Sequence, residues 1–195
     1  MRTPLPIFPW SLAQQAWADG FRMAIVLFGH LWGDHIYDAM PLMFDERQEA
    51  FTYDELSIGS YRELTTSVTK VDTVGFGFAT KDTNRVHFDE RYMAGTPYGK
   101  TIAHGMRCGS FISALLARFP GPGTVYVSQT CHFVGPVFHG DTITARVEVI
   151  AKKEWVGSDG RKRQRIALRT TVRNERDEEV VRGRAIIIPP QSKGR

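Results

Sequence analysis

An aspartate and a histidine, Asp82 and His87, stand five residues apart in the stretch Ala79-Thr80-Lys81-Asp82-Thr83-Asn84-Arg85-Val86-His87. That spacing does not stack two side chains on a regular helix, where neighbours are three or four apart, but an irregular segment can fold both toward one point. A carboxylate and an imidazole together can move a proton. Adding water to an activated alkene needs a base to take a proton from water, an acid to protonate the α-carbon, and donors to hold the enolate oxygen. The third role suits a helix start, where the first N–H groups are unpaired and the dipole is positive. Gly105 sits at such a start, and its lack of a Cβ lets a carbonyl approach the main chain. An acid/base pair supplies about 10² to 10⁴ in rate, and one oxyanion donor about 3 to 4 kcal/mol.

The elements that must hold these groups follow from the pattern around them. Ala103 to Phe119 carries Met106, Phe111, Ile112, Leu115 and Leu116 with small residues between, which predicts a buried helix that Pro120-Gly121-Pro122-Gly123 ends. Tyr61 to Lys70, rich in Thr and Val, predicts a strand. In Val71 to Thr80, Val71, Val74 and Phe78 share one helical face, although Gly75 and Gly77 weaken that helix. Residues 81–98 hold no sustained period and read as a long irregular excursion, the kind of segment that is commonly functional. Four β-like stretches follow, Thr124 to Phe133, Thr142 to Trp155, Arg163 to Arg173 and Val180 to Pro189, whose spacing predicts an antiparallel meander. One strand, a buried helix and several antiparallel strands make an α+β domain with the sheet wrapped around the helix.

The pattern Asp-x-Asn-x-x-His, with Ala94 seven residues past the histidine and Ile102-Ala103-His104-Gly105-Met106 downstream, resembles the signature of the MaoC-like hotdog dehydratases, in particular the (R)-specific enoyl-CoA hydratases. The resemblance covers roughly residues 60–155. It implies a hotdog fold that dimerises side by side with each site near the interface, and a chemistry without metal or redox cofactor. It further implies reversible hydration of trans-2-enoyl-CoA to (R)-3-hydroxyacyl-CoA, coenzyme A being part of the substrate. Asp82 and His87 would bind and activate the water, and the Gly105 N–H would polarise the thioester carbonyl. Asn84 would orient the loop on the substrate side, and Ser113 would face the substrate tunnel. Two positions depart from the pattern: Arg85 stands where proline is usual, and Lys81 where a small or acidic residue is usual. A cation held near Asp82 would weaken it as a base, whereas one facing solvent would do little. An accessory hotdog subunit that only binds acyl thioesters, or a hotdog thioesterase, are the rival readings. Taken alone, an Asp and a His in one loop more often shape a turn than do chemistry; the full pattern reverses that order.

Bulk properties bound the rest. With 195 residues, 42% hydrophobic and 24% charged, the chain suits one folded domain and not a disordered one. We place a helical N-terminal extension at residues 1–57, the hotdog domain at 58–190 and a short basic tail at 191–195. In the extension Trp10, Ala13, Trp17, Phe21 and Phe28 recur at near-helical spacing between Trp10 and about Trp32, with Ser11 as N-cap. That aromatic face is too large for water, so it packs within the oligomer or docks on a partner protein or a lipid-like surface. Residues 1–50 hold three Arg against six Asp/Glu, so the net charge of +4 sits on a basic body. A basic body suits a phosphate-bearing ligand such as coenzyme A. No RNA-binding motif is present, and nucleic acid is not expected. Lys152, Lys153, Arg161, Lys162 and Arg163 cluster at one hairpin, as a solvated tip or as a contact to coenzyme A phosphates. His104 is expected to cap or orient its helix, and His132 and His139 to serve structure. Cys108 and Cys131 form no zinc or disulfide framework, and the apolar run from Met23 to Gly29 is too short to cross a membrane or to match a secretion signal. A cytoplasmic protein is the expectation.

Overall fold

The computed structural model describes residues 49–191, so the N-terminal helix expected between Trp10 and Trp32 and almost all of the basic tail lie outside the described residues. Within them the chain runs β1 (Tyr61–Ser67), α1 (Lys70–Thr80), a 3-10 turn (Arg85–His87), α2 (Glu90–Ala94) and α3 (Gly105–Arg118). Strands β2 (Val125–Phe133), β3 (Thr142–Val156), β4 (Lys162–Asn174) and β5 (Glu179–Ile188) follow.

Alternation along the strands decides which face is covered. Ile143, Ala145, Val147 and Val149 of β3 and Ile166, Leu168, Thr170 and Val172 of β4 are all wholly buried. Against them lies α3, whose buried Cys108, Phe111, Ile112, Leu115 and Leu116 repeat at three and four residues, the spacing of a single helical stripe. The helix touches all five strands and β3 most, so the sheet wraps it. Each large apolar side chain so buried contributes about 1.5–3 kcal/mol, and together they fix where α3 begins. This is the hotdog arrangement expected from the sequence.

The sheet is antiparallel throughout, in the order β1-β3-β4-β5-β2. The expectation of a four-strand meander is corrected here, because only β3, β4 and β5 follow one another across the sheet. β2 pairs with β5, Phe133 opposite Val181 and Val125 opposite Ile188, and is an outer strand. The reason lies in the connection. Val134 to Asp141 is longer than a tight hairpin loop, and it is bound elsewhere: the Val137 carbonyl accepts from Ala103 N–H at 2.8 Å and Phe138 bridges to Ile102.

Helix α1 survives both of its interior glycines. Thr69 caps it in a full capping box with Asp72, and its buried face is Thr73 and Gly77. Val71, Val74 and Phe78 do share a face, and that face is exposed. An ion pair of Arg107 with Asp72 at 3.0 Å, nine-tenths buried on both sides, joins the first turn of α1 to the first turn of α3. Burial pushes the Asp72 carboxyl up, but hydrogen bonds from Thr69 and Arg107, with the guanidinium charge, outweigh it and leave the group below the usual carboxylate range. The packed body also reaches upstream of residue 58: Leu56 belongs to the core, and Phe51 N–H donates to the Pro120 carbonyl at 2.8 Å.

Candidate active site

Between the end of α1 and the start of α3 the chain makes its irregular excursion, and the excursion is built to turn back. Lys81 adopts the left-handed conformation, at a φ of 61°, that ends α1. Asp82 then accepts the Asn84 N–H on its side chain at 3.2 Å, and Asn84 in turn accepts the Val86 N–H at 3.3 Å, starting the 3-10 turn that carries His87. The extended segment Thr101 to His104 ties this loop to the body. Ile102 N–H donates to the Val86 carbonyl at 3.1 Å, and the Ile102 carbonyl receives the His87 Nδ1–H at 2.8 Å. A carbonyl only accepts, so this bond places the hydrogen of neutral His87 on Nδ1 and leaves the Nε2 lone pair available.

Gly77 explains why α1 tolerates a poor helix former. A Cβ there would stand 2.6 Å from the Phe88 ring, 2.9 Å from the Asp82 carbonyl and 3.4 Å from the His104 ring. The loop folds directly onto the helix only because that position has no side chain. Gly105 is similar, since a Cβ would meet the body of the Phe133 ring at 2.7 Å. The space over its Cα is occupied by Phe133, a reason for glycine that the sequence did not show.

The result is one pocket of about 420 Å³, lined among others by Asp82, His87, His104, Gly105, Phe133 and Val181. The carboxylate of Asp82 and ring nitrogens of His87 and His104 all lie within 4.8 Å of one another. Helix α3 opens into this pocket with no side-chain cap. The structure therefore brings Asp82, His87 and Gly105 together. Asn84 and Ser113 do not line the pocket of the single chain. Asn84 shapes the loop, and Ser113 lies two turns further along α3 on its exposed side.

The two departures from the expected pattern are placed clear of the carboxylate. Lys81 is exposed and makes no ion pair with Asp82. Arg85 binds Asp89 at 2.7 Å and lies over the Tyr92 ring at 4.6 Å, so it stiffens the loop's exit toward α2. Helix α2 is held in turn by Glu90, which accepts from Lys70 at 2.9 Å and from the Thr101 hydroxyl at 3.0 Å. These bonds hold the Glu90 carboxyl down at about 2, that from Lys70 being the largest influence.

His104 takes a different place from the expected one. It occupies the N-cap position of α3 but makes no capping bond; its ring turns back onto the loop, stacked on His87 with centroids 3.7 Å apart. His139 contacts Thr73 at 3.4 Å beside the same loop, and His132 is exposed on β2. Burial pushes the Cys108 thiol, which also lines the pocket, up to about 11, so it is a poor thiolate nucleophile.

The His87 and His104 rings stack within 29° of parallel, and each gives one nitrogen to a main-chain carbonyl and keeps the other. Such a set suits proton transfer.

The basic hairpin stands apart from this chemistry. Its tip lies ten residues along β4 from Val172, the partner of pocket residue Val181. At about 3.3 Å per residue of strand, that separation is about 33 Å. Lys162 pairs with Glu154, Arg163 with Asp159, and Lys152 donates to the Leu56 carbonyl. Within one chain the pairings of Lys162, Arg163 and Lys152 suit a solvated hairpin tip.

Comparison with known proteins agrees with this geometry. The family described as MaoC like domain matches residues 57–170. The chain is 38% identical over 142 residues to a 3-hydroxybutyryl-CoA dehydratase of Methylorubrum extorquens, covering 72% of this chain and 85% of the relative. It is 40% identical over 98 residues to an (R)-specific enoyl-CoA hydratase of Rhodospirillum rubrum, covering 50% and 68%. Among solved structures, an unliganded R-hydratase from Pseudomonas aeruginosa superposes with a TM-score of 0.66 at 37% identity, over 73% of this chain and 88% of that one. With the family matched over more than half of the chain and the loop of Asp82 and His87 facing an open helix start, this chain belongs to the MaoC-like dehydratases and is a hydro-lyase.

Proposed function

We propose that the protein adds water to trans-2-enoyl-CoA to give (R)-3-hydroxyacyl-CoA, and catalyses the reverse dehydration. The observation that carries the reading is the meeting, in one pocket, of the Asp82 carboxylate, the free His87 Nε2 and the uncapped start of α3 at Gly105. The thioester oxygen accepts from the Gly105 N–H, which draws electron density from the double bond. Water lies between Asp82 and His87. Asp82 accepts one of its hydrogens and orients it, while His87 Nε2 takes the other as the oxygen attacks C3. The enolate then recovers that proton from His87 at C2, so one C–O and one C–H bond form for one O–H bond and the C2=C3 π bond broken, and the imidazole is regenerated. These groups supply the whole reaction without a metal or redox cofactor.

The same reading includes a homodimer formed through β2. As an outer strand β2 leaves one edge unpaired, and Val125, Val127, Phe133 and Val134 are exposed along or just beyond it, with Met106 exposed at the pocket mouth. Sedimentation should give twice the chain mass, and a monomer at micromolar concentration would contradict the dimer. Both cysteines are free thiols and no described helix is long and apolar enough to cross a membrane, which accords with a cytoplasmic enzyme.

Product analysis tests the reaction. Incubation with crotonyl-CoA should yield (R)-3-hydroxybutyryl-CoA without release of free coenzyme A thiol. Thiol release without hydration would replace this reading by a thioesterase.

A further inference from the structure

We infer that His104 is the positioning residue of the acid/base pair, holding the Asp82 main chain with one ring nitrogen and the His87 imidazole with its ring face. The inference rests on the hydratase reading for what the pair does, and on geometry for how it is held. His104 Nε2 lies 3.3 Å from the Asp82 carbonyl and 3.9 Å from its carboxylate, while the ring stacks on His87 at 3.7 Å. One buried side chain therefore touches both members of the pair. Phe76 and Phe88 close the other sides, at 5.1 and 5.6 Å between ring centroids, and Gly77 leaves the room the ring needs.

The contacts also fix the ring's chemical state. The Asp82 carbonyl only accepts, so the hydrogen sits on Nε2. Nδ1 is then a bare lone pair, and it is buried with no partner. A second proton there would point at no acceptor inside a side chain that is 2% exposed. The charged groups around it do not reverse this. Asp82 from the loop favours a proton, and His87 from the turn and Arg107 from the same helix oppose one, while burial is the largest influence and keeps His104 below the ordinary histidine range. His104 thus stays neutral, and the only imidazole in the stack with a lone pair offered to substrate is that of His87. A flat face and an N–H donor are both required, a combination that neither phenylalanine nor glutamine provides.

Two substitutions separate the two contacts. His104→Phe keeps the face and loses the donor; His104→Gln keeps an N–H near the Nε2 position and loses the face. Each is expected to lower kcat by about 10-fold to 10²-fold, the scale of a small misplacement of reacting groups, with KM changed less than about 3-fold. Side-chain ¹⁵N–¹H spectra of the full-length protein provide a readout independent of turnover. In the wild type, His104 should be a single neutral Nε2–H tautomer above the ordinary histidine value of about 6.5 and neutral His87 a single Nδ1–H tautomer; His87 should lose that single tautomer in His104→Gln, which lacks the face, and keep it in His104→Phe. A wild-type His104 that carries its hydrogen on Nδ1, or takes up a second proton at or above the ordinary histidine value of about 6.5, overturns the inference even if neither variant folds. So does an unchanged His87 tautomer in folded His104→Gln, whatever happens to kcat. Wild-type protein inactive on every enoyl thioester would remove the hydratase reading alone, since the tautomer measurements would still decide whether His104 holds His87.

Discussion

Two helices meet at the pocket, and they begin in opposite ways. Helix α1 starts with a capping box in which Thr69 and Asp72 satisfy each other's main-chain donors, and Asp72 is further bound by buried Arg107. Helix α3 starts at His104 with no side-chain cap, and the side chain placed to provide one is turned away onto the loop of Asp82 and His87. A helix start left unpaired forgoes about 1 kcal/mol that a cap commonly supplies. The chain satisfies its donors where a helix start only has to hold, and leaves them open where, in the proposed reaction, the thioester oxygen is received.

The contrast can be broken from either side. The largest effect on stability should come from Arg107→Met, which leaves the nearly buried Asp72 carboxylate without its cation; removing one partner of such a pair costs about 3–5 kcal/mol. Equilibrium denaturation checks it, and a loss under about 1 kcal/mol, the scale of a surface pair, would mean that the pair does not join the two helix starts. Next in size, Gly105→Ala drives a methyl into the Phe133 ring, disturbing the open N–H group. A fall in kcat/KM of about 10²-fold or more is expected, on the scale of losing one oxyanion donor. Adding Phe133→Ala should return part of it by making room. Thr69→Ala removes the cap of α1 and should cost about 1 kcal/mol with turnover within about 2-fold of wild type, so that the two helix starts separate stability from activity.

The smallest effect is a dependence of stability on pH. His104 and His139 are both held below the ordinary histidine range, burial being the first cause for each. An unfolded chain therefore binds more protons than the folded one as pH falls below about 6.5. Their contribution is complete above that pH and is lost through the window between the unfolded and the lower folded values. The denaturant midpoint should fall from pH 7 to pH 5.5, and less so in His139→Gln; a flat profile over that range would contradict the burial of these rings as neutral groups. Asp72, held low, acts in a separate window and loses its contribution only below about pH 4.

What the sequence made legible was what local pattern encodes. The three- and four-residue spacing of Phe111, Ile112, Leu115 and Leu116 announced α3, and the alternating strands announced a sheet to cover it. Asp82 and His87 were visible because Asp-x-Asn-x-x-His, with Ile102-Ala103-His104-Gly105-Met106 downstream, resembles a family signature; taken alone, an Asp and a His in one loop more often shape a turn. The rest depends on contacts between distant residues. Gly77 reads as a weakness in a helix until Phe88 and the Asp82 carbonyl are seen to pack on it. His104 reads as a cap because it precedes a helix; only the return of the loop, 22 residues earlier in the chain, gives it another partner. The place of β2 beside β5 was hidden for the same reason, since a loop bound to Ala103 looks in sequence like a long hairpin connection. The exposed face of Val71, Val74 and Phe78 shows the limit of periodicity, which tells that residues share a side and not which side is covered.

The most direct test of the account is loss of enoyl thioester absorbance on mixing crotonyl-CoA and longer trans-2-enoyl-CoAs with wild type, Asp82→Asn and His87→Gln, each shown to be folded by its melting transition. The account predicts rapid loss with the wild type and a fall of about 10²-fold to 10⁴-fold in each variant. Wild-type protein inactive at every chain length, or folded variants as active as the wild type, would contradict it.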